Sequence, residues 1–119
     1  MKCPANLQEA KQAMAERYWA IALEEAARHD VTIKRFRPSL SGKAFVSQRT
    51  ITAPRPRTRR RLRVFLHEVG HIALGHSDPK PRYVAEQEAD EWAFETMRRH
   101  GIRVRRRRIE DVLAEGPFL

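Results

Sequence analysis

Residues 60–76 read RRLRVFLHEVGHIALGH, and this stretch decides which fold the chain can adopt. Its apolar residues recur every three or four positions, which is the period of an α-helix. At about 100° per residue, His67, Glu68 and His71 fall on one narrow arc of the helix. The opposite arc holds the apolar side chains Leu62, Phe65, Leu66, Val69, Ile72 and Ala73. The sequence therefore predicts a helix with one packed face and one face that presents two imidazoles and a carboxylate.

The motif HEVGH at residues 67–71 has the HExxH spacing of zinc hydrolases. Two histidines four residues apart can share one metal ion, and the glutamate beside the first can act as a general base. The alternative is a chance occurrence of this short pattern in a helix that binds no metal. A catalytic zinc ion usually has three protein ligands and one water molecule, so His67 and His71 require a third ligand from another element.

The next helical stretch, residues 81–100, contains carboxylates that can supply this ligand. Three of its glutamates fall on the polar side of the helical wheel, where solvated side chains belong: Glu88, Glu91 and Glu95. Glu86 and Asp90 instead lie one turn apart within the apolar face. Carboxylates directed into a core are costly unless they are paired or bind a metal. We therefore predict that Glu86 is the third zinc ligand and that Asp90 accepts a hydrogen bond from a ligating histidine. An ion pair with an arginine or at a helix end is the alternative.

The whole chain, residues 1–119, is predicted to form one small α+β domain. Helical periodicity over residues 6–29 predicts an N-terminal helix. Alternating residues at 31–36 predict a short strand, and residues 44–52 read as one or two more. The fold class is thus an N-terminal helix, a sheet of two or three strands, and the two helices that carry the candidate site.

Helix-end signals complete this prediction. Thr58 can cap the start of the HEVGH helix, and Gly75 can end it. Gly101 can end the helix that carries Glu86. A last short helix is predicted at residues 109–114.

The basic residues are unevenly distributed. Lys and Arg number 24 and Asp and Glu 15, which gives a formal net charge of +9. Eleven arginines lie in two runs without an acidic residue, from Arg55 to Arg63 and from Arg103 to Arg108. Such a field attracts a nucleic acid, an anionic surface or an acidic protein, although clustered arginines are also common on solvated surfaces. The runs lack interleaved aromatic residues, which argues against base stacking.

Cys3 is the only cysteine, so no disulfide can form within the chain and a metal site must use histidine and carboxylate ligands. This usage is typical of a reducing compartment. The sequence has neither the apolar run of a signal peptide nor the roughly 18 apolar residues of a membrane span. We therefore expect a soluble cytoplasmic protein with no membrane partner.

The motifs together resemble those of a known group of enzymes. HEVGH followed by Glu86 and Asp90, an ExxxD pattern on the next helix, resembles the gluzincin arrangement of zinc metallopeptidases. The apolar run and Gly-His pair at residues 72–76, with the ExEA(N/D)xxA form of residues 86–93, are similar to the ImmA/IrrE family. The resemblance covers about a third of the chain.

This resemblance implies a zincin-like fold and a zinc-dependent endopeptidase. The substrate would be a protein, in this family often a DNA-binding repressor. The residues implied are His67, His71 and Glu86 as ligands of Zn²⁺, Glu68 as the general base, and Asp90 as the hydrogen-bond partner of a ligand. An extended substrate would add as a strand at the sheet edge near residues 44–52.

Several residues keep two interpretations. Tyr83, His76 and His100 are candidate donors to a developing oxyanion. Tyr83 also fits a core position, and His76 lies beyond the predicted helix end or on the side away from the metal. Trp19 and Trp92 are most simply core residues.

A different class of function is a nucleic-acid-associated module on the same scaffold. Antirestriction proteins that combine a related HExxH domain with single-strand DNA binding provide the analogy. The two arginine runs would then bind the nucleic acid. In a third interpretation, the arginines recognise an acidic substrate protein.

Overall fold

A computed structural model describes residues 6–76 and 81–104. Within these ranges the chain is a small α+β fold with three α-helices and one three-stranded sheet. The elements in chain order are α1 (Leu7–Arg28), β1 (Thr32–Arg37), β2 (Lys43–Phe45), a 3-10 turn (Val46–Gln48), β3 (Thr50–Pro54), α2 (Arg59–Ala73) and α3 (Arg82–Arg99). The predicted N-terminal helix, strands and site-bearing helices are therefore confirmed. The short helix predicted at residues 109–114 lies outside the described residues.

The sheet has the strand order β1-β3-β2. Strand β1 runs parallel to β3, with Ile33 opposite Ile51, and β2 runs antiparallel to β3, with Ala44 opposite the same Ile51. The stretch 44–52 thus belongs to two strands, separated by the 3-10 turn and by Arg49, whose φ is 54°. Strands β1 and β2 each form an edge of the described sheet.

Helix α2 lies at the centre of the molecule and packs against α1, α3 and β3. Its predicted apolar face is buried, with Leu62, Phe65, Leu66 and Val69 all 0% exposed. This packing turns the opposite face of α2, with its two histidines, toward α3. No helix within the described ranges is long and apolar enough to cross a lipid bilayer.

Three aromatic residues differ from their predicted core positions. Tyr83 is 74% exposed and follows the exposed Arg82 at the start of α3. A helical wheel gives the direction of a side chain but not whether another element covers that turn. Trp92 is half-buried and packs against the core, whereas Trp19 is half-buried beside Phe36, at 5.3 Å between ring centroids.

All three helices end in the same backbone motif. The residue after each C-cap has a positive φ: 55° at Asp30, 67° at Gly75 and 80° at Gly101. The following residue donates its N–H to a carbonyl five positions earlier, which is the Schellman arrangement. The predicted stops at Gly75 and Gly101 are confirmed. Thr58 also caps α2 as predicted, since its Oγ accepts the Arg61 N–H at 3.1 Å.

Helices α2 and α3 approach closely at Gly70. A Cβ atom there would lie 3.1 Å from Cε3 of Trp92 and 3.3 Å from the carbonyl oxygen of Ala89. A larger residue would push the helices apart. The glycine between the two histidines therefore keeps the histidine face of α2 close to the carboxylates of α3.

A buried carboxylate connects the ends of α1 and α3. Glu25 is 0% exposed, and its Oε2 accepts a hydrogen bond from His100 Nε2 at 2.7 Å. Arg28 and His29 place further nitrogen atoms 3.6 and 3.7 Å from the same carboxylate. The geometry of Glu24, Glu25 and His100 would also allow a metal ion, but the surrounding nitrogen donors suit an ion-paired carboxylate.

Candidate metal centre

The candidate site lies between the second half of α2 and the first half of α3. Helix α2 contributes His67, Glu68 and His71, and α3 contributes Glu86 and Asp90. Glu68 and His71 are 7% and 9% exposed, whereas His67, Glu86 and Asp90 are partly exposed. The structure thus brings together all five residues that the sequence selected, at the rim of the core.

His67, His71 and Glu86 converge on one point. His67 Nε2 lies 2.8 Å from Glu86 Oε1, and His71 Nε2 lies 3.2 Å from Glu86 Oε2. One ligand atom from each of the three residues lies within 4.8 Å of the others. The two imidazole rings are nearly perpendicular, at 86°, with centroids 4.8 Å apart. Two nitrogens and one carboxylate therefore face a common centre from two helices.

This donor set fits a zinc ion. Bonds of about 2.1 Å in a tetrahedral arrangement separate neighbouring ligand atoms by about 3.4 Å. The nitrogen-to-oxygen distances of 2.8 and 3.2 Å end on the two different oxygens of Glu86 and are about 0.6 and 0.2 Å shorter than this spacing. Two imidazoles and one carboxylate are also a known catalytic zinc set, which leaves a fourth position for water or substrate.

Asp90 supports the first histidine. Its Oδ1 accepts a hydrogen bond from His67 Nδ1 at 2.7 Å, and Arg63 Nη1 lies 3.4 Å from the same oxygen. The arginine partner considered from the sequence is therefore present together with the histidine. A hydrogen bond at Nδ1 leaves Nε2 of His67 as the nitrogen that faces Glu86, and it orients the ring.

The pKa values of this pair shift as an interacting acid and base should. Burial alone would lower the pKa of His67, but the hydrogen bond and negative charge of Asp90 outweigh burial and raise it. Burial would raise the pKa of Asp90, but the hydrogen bond and positive charge of His67 lower it below its usual range. The pKa of His71 is lowered, first by burial and then by the charge of His67. A lowered pKa favours the neutral imidazole, which is the form that binds metals.

His76 supports His71, a role that helical periodicity does not reveal. Its Nδ1 lies 2.8 Å from Nδ1 of His71, and its Nε2 donates to Glu88 Oε1 at 2.9 Å. His76 follows Gly75, whose left-handed backbone turns the chain back beneath the helix. His76 lies beyond the end of α2, which is one of the two alternatives from the sequence, and the chain reversal at Gly75 brings it back to His71. Glu88 is not simply solvated, since it binds this histidine.

The hydrogen bonds in this chain assign the protons. Glu88 is an acceptor, so a neutral His76 carries its proton on Nε2 and accepts at Nδ1. His71 then donates from Nδ1, which leaves its Nε2 lone pair directed toward Glu86. Each histidine of the site thus has a partner that holds its Nε2 toward the centre. The Gly-His pair at residues 75–76 was the sequence signal for this partner.

Replacing His76 by Ala should lower the affinity for zinc about 10- to 100-fold, because His71 loses the acceptor that orients its ring. The measurement is competition for zinc with a fluorescent chelator. Leu74→Ala is the matched control, since Leu74 is an exposed residue of the same turn. Equal affinities of His76→Ala and the unmodified protein would show that His76 does not position His71.

The side chain of Glu68 packs against the main chain of Gly42. A Cβ atom at Gly42 would stand 2.8 Å from Cγ of Glu68 and 2.7 Å from the carbonyl oxygen of Thr52. No side chain fits there, so position 42 accommodates glycine only. Gly42 directly precedes the edge strand β2, and the carboxylate of Glu68 is therefore next to the start of that strand. Gly42 could not be selected from the sequence, because its role depends on its contact with Glu68, which lies far away in the chain.

Burial raises the pKa of Glu68 to about 7, and the nearby charges of Glu86 and Asp90 act in the same direction. His67 and Arg37 oppose this shift with their positive charges. A carboxylate with a pKa near neutrality can both accept and return a proton at physiological pH. This property matches the role of a general base.

The three candidate oxyanion donors have other surroundings. Tyr83 is exposed in the first turn of α3. His76 is engaged with His71 and Glu88, and His100 binds the buried carboxylate of Glu25. The oxyanion donor stays unassigned among these three.

Comparisons of the chain with protein-family models, with curated proteins and with solved structures found no match.

Proposed function

We propose that this protein is a zinc-dependent metallopeptidase with a zincin-like fold. The observation that carries the proposal is the convergence of His67, His71 and Glu86, with Glu68 on the same helix face. The hydrogen bonds from Asp90 and His76 support it, because partners of this kind accompany metal-ligating histidines. The resemblance of the HEVGH and ExxxD motifs to those of zinc peptidases agrees with the geometry.

Each residue has a defined role in this proposal. His67, His71 and Glu86 would hold the zinc ion, which when bound supplies Lewis-acid chemistry for water and for the scissile carbonyl. Glu68 takes a proton from the attacking water and delivers it to the leaving amine. Its burial keeps bulk water away from the carboxylate and brings its pKa near the working pH. Asp90 and His76 orient the two histidines.

The substrate in this proposal is an extended peptide segment. Within the described sheet, β2 pairs with β3 on one side, and its other edge is open to an added strand. Gly42 at the start of β2 touches Glu68, so a peptide on this edge would pass the general base. We extend the proposal to protein substrates, with a DNA-binding repressor as the candidate that the family resemblance suggests.

The wild-type protein provides the first test. Metal-free protein should take up one zinc ion per chain and then cleave a fluorescence-quenched peptide library. Chelation should stop cleavage, and added zinc should restore it. Metal content by mass spectrometry and the rate of fluorescence increase are the two measurements. A protein that takes up no stoichiometric zinc would contradict the proposal, and so would cleavage that does not depend on the metal.

A further inference from the structure

Four arginines surround a cavity on the side of the sheet where β1 and β3 end. The cavity has a volume of about 440 Å³ and is lined by Phe36, Arg37, Pro38, Arg55, Arg57 and Arg61. Three of the four arginines belong to the first run in the sequence. Two other members of that run have different roles: Arg63 contacts Asp90, and Arg59 donates to the carbonyl oxygen of Arg103 at 3.1 Å.

No carboxylate in residues 6–76 and 81–104 lies within ion-pair distance of the four arginines, although the charge of Arg37 acts on Glu68 from further away. Arg37 donates from Nη1 to Ser41 Oγ at 3.2 Å, but its Nε is buried without a hydrogen-bond partner. Like charges held together and a buried unpaired donor are both unfavourable. An anion in the cavity would remove the first of these costs, the repulsion between the arginines.

The backbone holds these arginines in place. Residues 54–57 read PRPR, and both prolines are fully buried while both arginines are exposed. Proline fixes φ, so the side chains of Arg55 and Arg57 leave a rigid backbone. The guanidinium of Arg55 also lies over the ring of Phe36, 4.7 Å from its centroid. Such a preorganised cluster binds an anion with less loss of entropy than mobile surface arginines do.

A second cavity, of about 170 Å³, shares Arg57 with the first. Its other lining residues are Gln12, Ala15, Glu16 and Trp19. Trp19 forms an aromatic wall, and beside it Gln12 Nε2 donates a hydrogen bond to Glu16 Oε2 at 3.1 Å. A cavity lined by arginines next to one lined by a tryptophan suits a ligand that has an anionic group and a flat ring close to each other in one molecule.

We propose that these two cavities bind a nucleotide unit of a single-stranded nucleic acid. The phosphate occupies the cavity formed by the four arginines, and the base stacks on Trp19. A base in a duplex is already stacked and paired, so a single strand is the form that can reach Trp19. An acidic peptide could pair with the arginines, but it has no ring to stack on Trp19. The presence of Trp19 beside the arginines therefore favours the nucleic acid.

This inference changes one conclusion from the sequence. The arginine runs lack interleaved aromatic residues, and base stacking was therefore disfavoured. The fold supplies the missing rings from other segments, because Trp19 comes from α1 and Phe36 from β1. The proposed nucleic-acid site uses none of the candidate metal ligands, but Arg37, which lines its first cavity, also acts to lower the pKa of Glu68.

The test uses the full chain and a fluorescent oligothymidine of about twelve nucleotides, a length within the site sizes of single-strand binding folds. An abasic strand of equal length and a glutamate peptide of equal charge are the comparison ligands. We expect the oligothymidine to bind at least about tenfold more tightly than either, since base stacking adds to the phosphate contacts. Affinity should fall steeply with salt, as release of counterions requires.

Variants locate the site. Arg57→Gln should weaken oligothymidine binding about tenfold and reduce the salt slope by about 0.7, the value for one phosphate contact on a single strand. Arg98→Gln removes the same charge from an exposed position on α3 and should leave both quantities unchanged. In a Trp92→Phe background, Trp19 is the only tryptophan, and stacking should quench its fluorescence.

Three outcomes would overturn the proposal. Equal losses for Arg57→Gln and Arg98→Gln would mean that net charge alone binds the strand. Equal affinity for the abasic strand, without quenching of Trp19, would remove the base site. A glutamate peptide that binds as tightly as the oligothymidine, and that depends on Arg57, would assign the cavity to an acidic protein.

Discussion

Glu68→Gln should lower the rate of peptide hydrolysis by about 10²- to 10⁴-fold, the usual contribution of a general acid or base. Glutamine has nearly the same shape as glutamate but cannot accept a proton from water. It also fits beside Gly42, where the space around the side chain is tight. Zinc content should stay at one ion per chain, because Glu68 is not among the three converging ligands.

The measurement combines cleavage of the quenched peptide library with metal analysis of the same samples. Glu91→Gln is the matched control, since Glu91 is an exposed glutamate on α3 and the substitution changes the charge equally. A Glu68→Gln protein that cleaves at the wild-type rate would exclude Glu68 as the general base. If a contaminating protease caused the cleavage, both variants would retain it.

Glu86→Ala should lower zinc affinity by more than about 100-fold. Loss of a metal ligand should have a larger effect than loss of a residue that only orients a ligand, such as His76. His71→Ala should have the same result. The two nitrogens that remain in the Glu86→Ala protein cannot complete a catalytic zinc site. Cleavage should be lost together with the metal, in contrast to Glu68→Gln, which loses cleavage alone.

Competition with a chelator of known affinity measures this loss, and circular dichroism checks that the helices persist. Glu91→Ala, five residues further along the same helix, controls for the removal of a glutamate from α3. Retention of one zinc ion at wild-type affinity in Glu86→Ala would place the third ligand elsewhere. The peptidase proposal would then require a different donor set.

The sequence could select the residues of the candidate site because they obey local rules. His67 and His71 share a face by helical spacing alone, and Glu86 and Asp90 stand out as carboxylates on an apolar face. The structure places these four side chains in contact. A short pattern on each of two helices was therefore enough to select them.

The features that the sequence did not reveal all depend on chain reversals or on contacts between distant segments. His76 reaches His71 only because Gly75 has a left-handed backbone. Trp19 and Arg57 line the same cavity although they are far apart in the sequence. Periodicity describes one element at a time and contains no information about which elements meet.

The contact between Gly42 and Glu68 has a consequence for selectivity. Beside Glu68, a peptide added at the edge of β2 would meet the main chain at Gly42. The main chain offers every peptide the same amide groups. A substrate that passes here is recognised as a polypeptide and not by its side chains. The choice among proteins would then come from surfaces further away, among which the described residues offer short edge strands and exposed arginines.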